Sequence, residues 1–303
     1  MHATIYHGSI IIIESLKNDD KKTGKSLHDA LTADTKSSLK ATMPFIKIRY
    51  KGVTSSSELL KFLEEIYASD EYECPVIHIE AHGGNDGEYF LECTDGSRLT
   101  CEELAEPLRR INEKSGLNLL LSMATCHGLD MECAFVSAFC QDKVIPFFAL
   151  IGSNYDEHPD KIEDFFLNFF QFYFNGNSAA LEKHTDVSAV MSRFNRQFPN
   201  FKIIDTLRII AIAIKKYWDL STPEAIEQRR KNIQEIAVRE TGSIVSKDRL
   251  SDIAHESNLE EKTVNNKISN LLGFDKIKGN KERFKDINYL SVITILVPKL
   301  NKK

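Results

Sequence analysis

Strand-like and helix-like patterns alternate through the first two-thirds of the chain. Ser9–Ser15 (SIIIIES) is a short β-branched run, and Phe45–Tyr50 (FIKIRY) alternates apolar and polar positions as a half-buried strand does. Between them a polar loop, Lys17–Thr23, leads into a helix-compatible stretch from about Lys25 to Leu39. The hydroxyl run Thr54–Ser57 offers N-cap residues to a helix whose Leu59, Leu60, Leu63 and Ile66 keep the 3.6-residue period. Cys74–Ala81 (CPVIHIEA) reads as a third strand with Ile77, Ile79 and Ala81 on one face, followed by a turn-rich Gly83–Gly87. Thr100 and Glu103 match a capping box and open a helix toward Asn112, with Pro107 placed to kink or divide it. Leu117–Ala124 (LNLLLSMA) is almost wholly apolar, as a central strand should be, and Phe147–Gly152 is a fifth strand.

This β-α-β order predicts a largely parallel sheet with helices on both faces, and in such sheets functional groups gather past the carboxyl ends of the strands. From Lys161 the pattern becomes helical: Ile162, Phe165, Phe166, Phe169, Phe170 and Tyr173 share one broad face, the mark of a helix packed on the sheet. Ile203, Leu207, Ile210, Ile214 and Trp218 form a second helical stripe, after which the chain is more charged. A domain boundary near residue 200 follows, with residues 201–303 forming a helical C-terminal domain.

Composition changes this picture little. The 303 residues are 42% hydrophobic and 27% charged, and the net charge of −5 gives no bulk attraction to nucleic acid or anionic membrane. The apolar run Ile10–Ile13 lacks a cationic flank and a cleavage site, and no stretch reaches the ~20 apolar residues of a membrane span, so a soluble chain is expected. Six cysteines without a C-x-x-C pair and without a secretion signal predict reduced thiols and a cytoplasmic setting. Cys133 and Cys140 read as core packing, while Cys74, Cys93 and Cys101 have no recognisable partner.

Two strand ends carry the chemistry. One reads His78-Ile79-Glu80-Ala81-His82-Gly83-Gly84, the other Ser122-Met123-Ala124-Thr125-Cys126-His127-Gly128. Each runs from apolar strand to a reactive side chain and then glycine, which allows a sharp turn and close approach of backbone N–H groups. A thiolate with an imidazole partner can attack a peptide carbonyl and return a proton to the leaving amine.

In these two motifs, and in their order, the chain resembles the caspase-like cysteine peptidases, and more closely the bacterial and CHAT-type members. His82 and Cys126 are 44 residues apart, against roughly 50 in the caspase pattern. The resemblance extends from about Ile10 to Met191 and takes in Asp164–Leu181, similar to the aromatic helix, glycine turn and second helix of the CHAT pattern. It implies a caspase-like α/β domain over residues 1–200, with His82 as general acid/base, Cys126 as nucleophile, and the Gly83 and Cys126 N–H groups as oxyanion hole. It implies no cofactor, a protein substrate, and activation by a partner or a nucleotide-type second messenger, as in antiphage effectors. Ala124 replaces the aspartate of metacaspases and His127 the common arginine of caspases, which leaves substrate preference open. Asp156 and Glu157, after the fifth strand, are candidates for an acidic pocket that would favour Arg or Lys before the scissile bond.

Other readings compete. Metal ligation by His78 and His82, with Asp86 or His127, is one alternative; a helix would put the two histidines on one face at i,i+4, but the local residues favour strand. Thr23-Gly24-Lys25-Ser26 ends like a phosphate-binding loop, but Asp19 stands where its first glycine is required. Asp248–Leu272 resembles a helix-turn-helix in which Leu250, Ile253 and Ala254 precede Val264, Ile268 and Leu271. Glu260 and Glu261 at its second helix would repel phosphate, so structural or protein-binding use is expected over DNA binding. A regulatory or DNA-binding adaptor with a degenerate peptidase domain is the alternative to an active enzyme.

Overall fold

The computed structural model describes residues 7–33, 39–175, 197–206 and 261–285, with isolated positions between 208 and 231 and at 287. Its centre is a mixed, mostly parallel sheet flanked by helices. β1 (Ser9–Ser15) is buried throughout, because β2 (Lys47–Gly52) and β3 (Pro75–Asn85) pair with it on both sides in parallel. β6 (Leu120–Ala124) continues the sheet beside β3, and β7 (Ala149–Ser153) lies beside β6, both parallel. The near-continuous apolar runs of β1, β3 and β6 fit burial on both faces, whereas β2, at the sheet edge, is largely exposed.

The helices form two packed sets. α1 (Thr23–Thr32) and the short α2 (Leu39–Thr42) pack against α6 (Pro159–Asn175). α3 (Ser56–Ala68) packs against α4 (Cys101–Lys114), and α4 against α5 (Cys133–Cys140). Both N-cap expectations hold: Ser55 Oγ accepts the Glu58 N–H, and Thr100 with Glu103 closes a capping box. α4 runs unbroken through Pro107. The aromatic face of α6 is core: Phe165, Phe166, Phe169 and Phe170 are fully buried, and Phe165 stacks on Phe201 with ring centroids 4.0 Å apart.

The structure departs from the sequence reading in further places, the first three of them in the backbone. The helix expected over Lys25–Leu39 starts at Thr23, ends at Thr32, and Leu39 opens a separate helix. β3 does not stop at Ala81. Its last residues pair antiparallel with β4 (Tyr89–Glu92), which pairs with β5 (Arg98–Thr100), so Gly83–Asn85 is ribbon and the turn is confined to the residues after it. The Ile203 stripe begins as strand: β8 (Phe201–Asp205) pairs antiparallel with β7, since an open sheet edge offers Phe201 and Ile203 more burial than a helix surface. Leu207, Ile214 and Trp218 lie outside the described residues.

The cysteines are the fourth and fifth corrections. Cys101 and Cys133 are joined in a disulfide, because the capping box puts Cys101 at the first residue of α4 and a 3-10 turn (Gly128–Glu132) brings Cys133, at the start of α5, against it. Cys140 is exposed rather than packed in the core.

At the C-terminal side, α7 (Glu261–Leu271) buries Val264, Ile268 and Leu271. It docks on α5: Lys267 Nζ donates to the Phe139 carbonyl at 3.1 Å, and the Ile145 N–H donates to the Leu271 carbonyl at 3.0 Å. The apolar stripe of the helix-turn-helix-like segment is therefore used for packing, and its first half, Asp248–Glu260, lies outside the described residues.

Candidate functional site

The parallel register of β3 and β6 ends at Glu80 beside Ala124. Two residues further along each chain stand His82 and Cys126, so the sheet delivers both to its carboxyl edge on adjacent strands. Their neighbours confirm how close the backbones come. A methyl group built on Gly83 would lie 3.1 Å from Thr125 Cβ and 3.2 Å from the Cys126 carbonyl carbon, and would overlap the Cys126 carbonyl oxygen. Any side chain at 83 would push the two strand ends apart. From the ribbon, Tyr89 reaches back so that its hydroxyl lies 2.9 Å from Thr125 Oγ1, with both residues buried, and this pins the residue before the cysteine.

Cys126 is a half-buried free thiol. Burial pushes its pKa up; the Glu157 N–H pulls the other way, and the Asp156 and Glu157 carboxylates add to the rise. The resting sulfur is therefore protonated, and its use as a nucleophile requires a base. The following residue, His127, has the left-handed φ of 56° that turns the chain out of the strand. Its Nε2 lies 3.4 Å from Asp156 Oδ1 and its Nδ1 3.8 Å from Asp130. Asp130 also accepts from Asn85 Nδ2 at 2.7 Å, tying the end of the ribbon to the turn after Cys126.

The two pocket candidates differ in placement. Asp156 is solvent-exposed beside the Cys126–His127 turn. Glu157 is buried and accepts from Ser153 Oγ at 3.1 Å and Asn200 Nδ2 at 2.6 Å, so its carboxylate braces the loop after β7.

One participant was absent from the sequence reading. Asp20, in the polar loop after β1, accepts a hydrogen bond from His82 Nε2 at 2.9 Å, and the same oxygen accepts the Lys17 N–H at 2.8 Å. Burial alone would raise the Asp20 carboxyl, but the His82 and Lys17 bonds, with the charges of His82 and Lys22, outweigh it and hold it below the usual carboxylate value. With Nε2–H directed to Asp20, the Nδ1 atom of His82 is left as the acceptor nitrogen of the ring. The available signal was positional. Asp20 follows the strand next to β3 in a parallel sheet, although no spacing rule links it to a histidine 62 residues away.

Both nitrogens of His78 are engaged, Nδ1 with Ser122 Oγ at 2.7 Å and Nε2 with Glu80 at 2.9 Å. Among the described residues no group of three or more His, Cys, Asp or Glu side chains could hold a metal ion. Gly24, in the segment that ends like a phosphate loop, packs against the carboxylates of Glu14 and Glu80, which would repel a phosphate. Among the described residues no helix is long and apolar enough to cross a membrane.

No protein-family model matches the chain, and no curated protein matches it. Among solved structures, the chain is similar to the crystal structure of the Drosophila initiator caspase Dronc, with 12% identity and a TM-score of 0.45 over 67% of this chain and 82% of that one.

Proposed function

We propose that the chain is a caspase-like cysteine endopeptidase with Cys126 as nucleophile, His82 as general acid/base and Asp20 as the carboxylate that orients His82. The observation that supports this reading is that β3 and β6 stay paired to within two residues of His82 and Cys126, with Gly83 against the Cys126 backbone and His82 Nε2 on Asp20.

The chemistry follows from the protonation states. Cys126 gives its proton to His82 Nδ1, and the sulfur forms a bond to the peptide carbonyl carbon. The carbonyl π pair moves to oxygen, where the Gly83 and Cys126 N–H groups are the donors; losing one such donor typically costs about 100- to 1000-fold. Collapse of the adduct breaks the C–N bond as His82 returns the proton to the amine. Water, deprotonated by His82, then cleaves the thioester and regenerates the thiol. Asp20 stabilises the imidazolium formed in each half-reaction. Asp156, beside the sulfur, favours a cationic side chain near the scissile bond, and Glu157 holds the loop that presents it. The resemblance to bacterial effectors adds a nucleotide-type activator to the proposal.

The test compares new protein termini in cells expressing wild type or Cys126→Ala, with and without candidate nucleotides. New termini in wild type alone support the reading. Identical termini from both, with Cys126→Ala folded, reject it.

A further inference from the structure

A buried polar network crosses the sheet beneath the start of α1. Ser122 Oγ lies 2.7 Å from His78 Nδ1, and His78 Nε2 lies 2.9 Å from Glu80 Oε1. The other Glu80 oxygen accepts from Thr23 Oγ1. Alongside it, Glu14 accepts from the Tyr50 hydroxyl at 2.8 Å and from the Lys25 N–H at 3.0 Å. Ser122, His78, Glu80, Thr23 and Glu14 are all buried.

A serine, an imidazole and a carboxylate in hydrogen-bonded order suggest a second hydrolytic centre, but this one is sealed. His78 is fully buried with its ring 4.7 Å from Phe166 and 5.6 Å from Phe170, so no substrate reaches it. Two carboxylates and an imidazole in a core are costly to desolvate and persist only where each is hydrogen-bonded. What they hold is informative. Lys22, the N-cap position of α1, makes no side-chain cap; Glu14 supplies one from the sheet on the Lys25 N–H, and Glu80 anchors the same turn through the Thr23 hydroxyl. Glycine at 24 leaves the room for this: a methyl there would stand 3.0 Å from Glu14 Oε2 and 3.3 Å from Glu80 Cδ, so the carboxylates would have to give way by a few tenths of an ångström.

The consequence lies three residues upstream. The loop that carries Asp20 runs from Ser15, held by Thr94 at 3.0 and 3.2 Å, to Thr23, held by Glu80. Glu80 is also two residues before His82 on β3. One strand therefore carries both the imidazole and the carboxylate that fixes the loop orienting that imidazole.

We propose that Glu80 and Glu14 are positioning residues of the candidate site, which set the first turn of α1 and thereby the Asp20 carboxylate against His82. The proposal deepens the peptidase reading and rests on it for its link to catalysis. It is tested on the full chain with Thr23→Ala and Thr23→Ser, reading the Asp20 side-chain carboxyl titration by carbon NMR and the pH dependence of kcat on a peptide the wild type cleaves. Thr23→Ala should move Asp20 up toward the ordinary carboxylate value and lower kcat about 10- to 100-fold with KM unchanged, since a misplacement of about 1 Å can cost about 100-fold. Thr23→Ser should restore both. If Thr23→Ala does not fold, Glu80→Gln, which keeps the side-chain volume, must move Asp20 in the same direction. A lowered thermal midpoint with the Asp20 titration unmoved overturns the proposal. If Asp20 moves while no variant, wild type included, cleaves any peptide, the positioning role stands and the peptidase reading falls.

Discussion

Replacing Gly83 with alanine probes the site at the point where its two strands touch. The added methyl would lie 3.1 Å from Thr125 Cβ and 3.2 Å from the Cys126 carbonyl carbon, against the ~3.5–4.0 Å of a comfortable carbon contact, and it would overlap the Cys126 carbonyl oxygen. The obstructing atoms are backbone or sit at Cβ, so no rotamer change relieves them. β3 and the Cys126 turn must separate by on the order of 1 Å, at a cost of about 1–3 kcal/mol for an overpacked site. In the proposed dyad, separation of this size moves His82 away from the sulfur, and a thiol that burial and nearby carboxylates keep protonated then loses its base. Iodoacetamide labelling of Cys126, read by peptide mass spectrometry, should therefore slow by about 10- to 100-fold, the order expected for a misplacement of about 1 Å. The thermal midpoint should fall by roughly 2–4 °C for each kcal/mol lost. Gly52→Ala is the control: its nearest neighbour would be the Tyr50 hydroxyl at 3.6 Å, an ordinary contact, and it should leave both readings unchanged. A Gly83→Ala protein that labels and melts like wild type would refute the geometry on which the site is built.

Two further outcomes follow from the titrating groups. Asp156→Asn removes a negative charge that helps hold the Cys126 thiol protonated, so labelling of Cys126 near neutral pH should accelerate, by about two- to five-fold given the exposure of Asp156; an unchanged or slower rate would show that the carboxylate does not act on the sulfur. His7 is buried, and burial, opposed by its bond to the Cys74 carbonyl, lowers its pKa from 6.5 to about 4. Between those values the unfolded chain binds a proton that the folded chain refuses. The His7 contribution is thus complete above pH 6.5, falls by up to about 3 kcal/mol as the pH drops to about 4, and is level below. Urea midpoints measured across that window should lose this part of their slope in His7→Leu, and an identical slope would reject the assignment.

Much of the fold was legible because burial on two faces leaves a plain signature. Ile10–Ile13, Ile77–Ile79 and Leu119–Met123 could be little else than central strands, and their order with intervening amphipathic helices dictated a parallel sheet. The short ribbon β4–β5 was not legible, since Tyr89–Glu92 and Arg98–Thr100 are too brief for a period and pair mainly because Gly83–Asn85 continues β3 past the sheet. Ile203 was misread for a related reason. Its neighbours Ile204 and Leu207 suit a helix stripe as well as a strand, and only the open edge of β7 decides between them. The Cys101–Cys133 pair depends on two helix starts converging in space, which a separation of 32 residues does not disclose.

The site itself divides along the same line. The placement of His82 and Cys126 just past the ends of β3 and β6 was legible, because strand-then-glycine patterns mark where a parallel strand ends, and all such ends lie on one edge. Asp20 sits in a loop, where local composition carries no period, and the residues that fix it are unmarked: Thr23 and Glu80 meet across 57 residues and Lys25 meets Glu14 only because α1 begins above both carboxylates. A rule is nevertheless available. In a parallel sheet the loop leaving one strand passes the carboxyl end of its neighbour, and β1 neighbours β3. An acid in the loop after β1 is therefore within reach of a histidine at the end of β3 before any distance is measured. Of the two acids in that loop, Asp19 and Asp20, the one that turns inward is chosen by the Lys17 N–H, which takes the same Asp20 oxygen and closes a turn around it. The partner of the imidazole is thus selected by backbone geometry inside the loop, and the loop by carboxylates buried in the sheet.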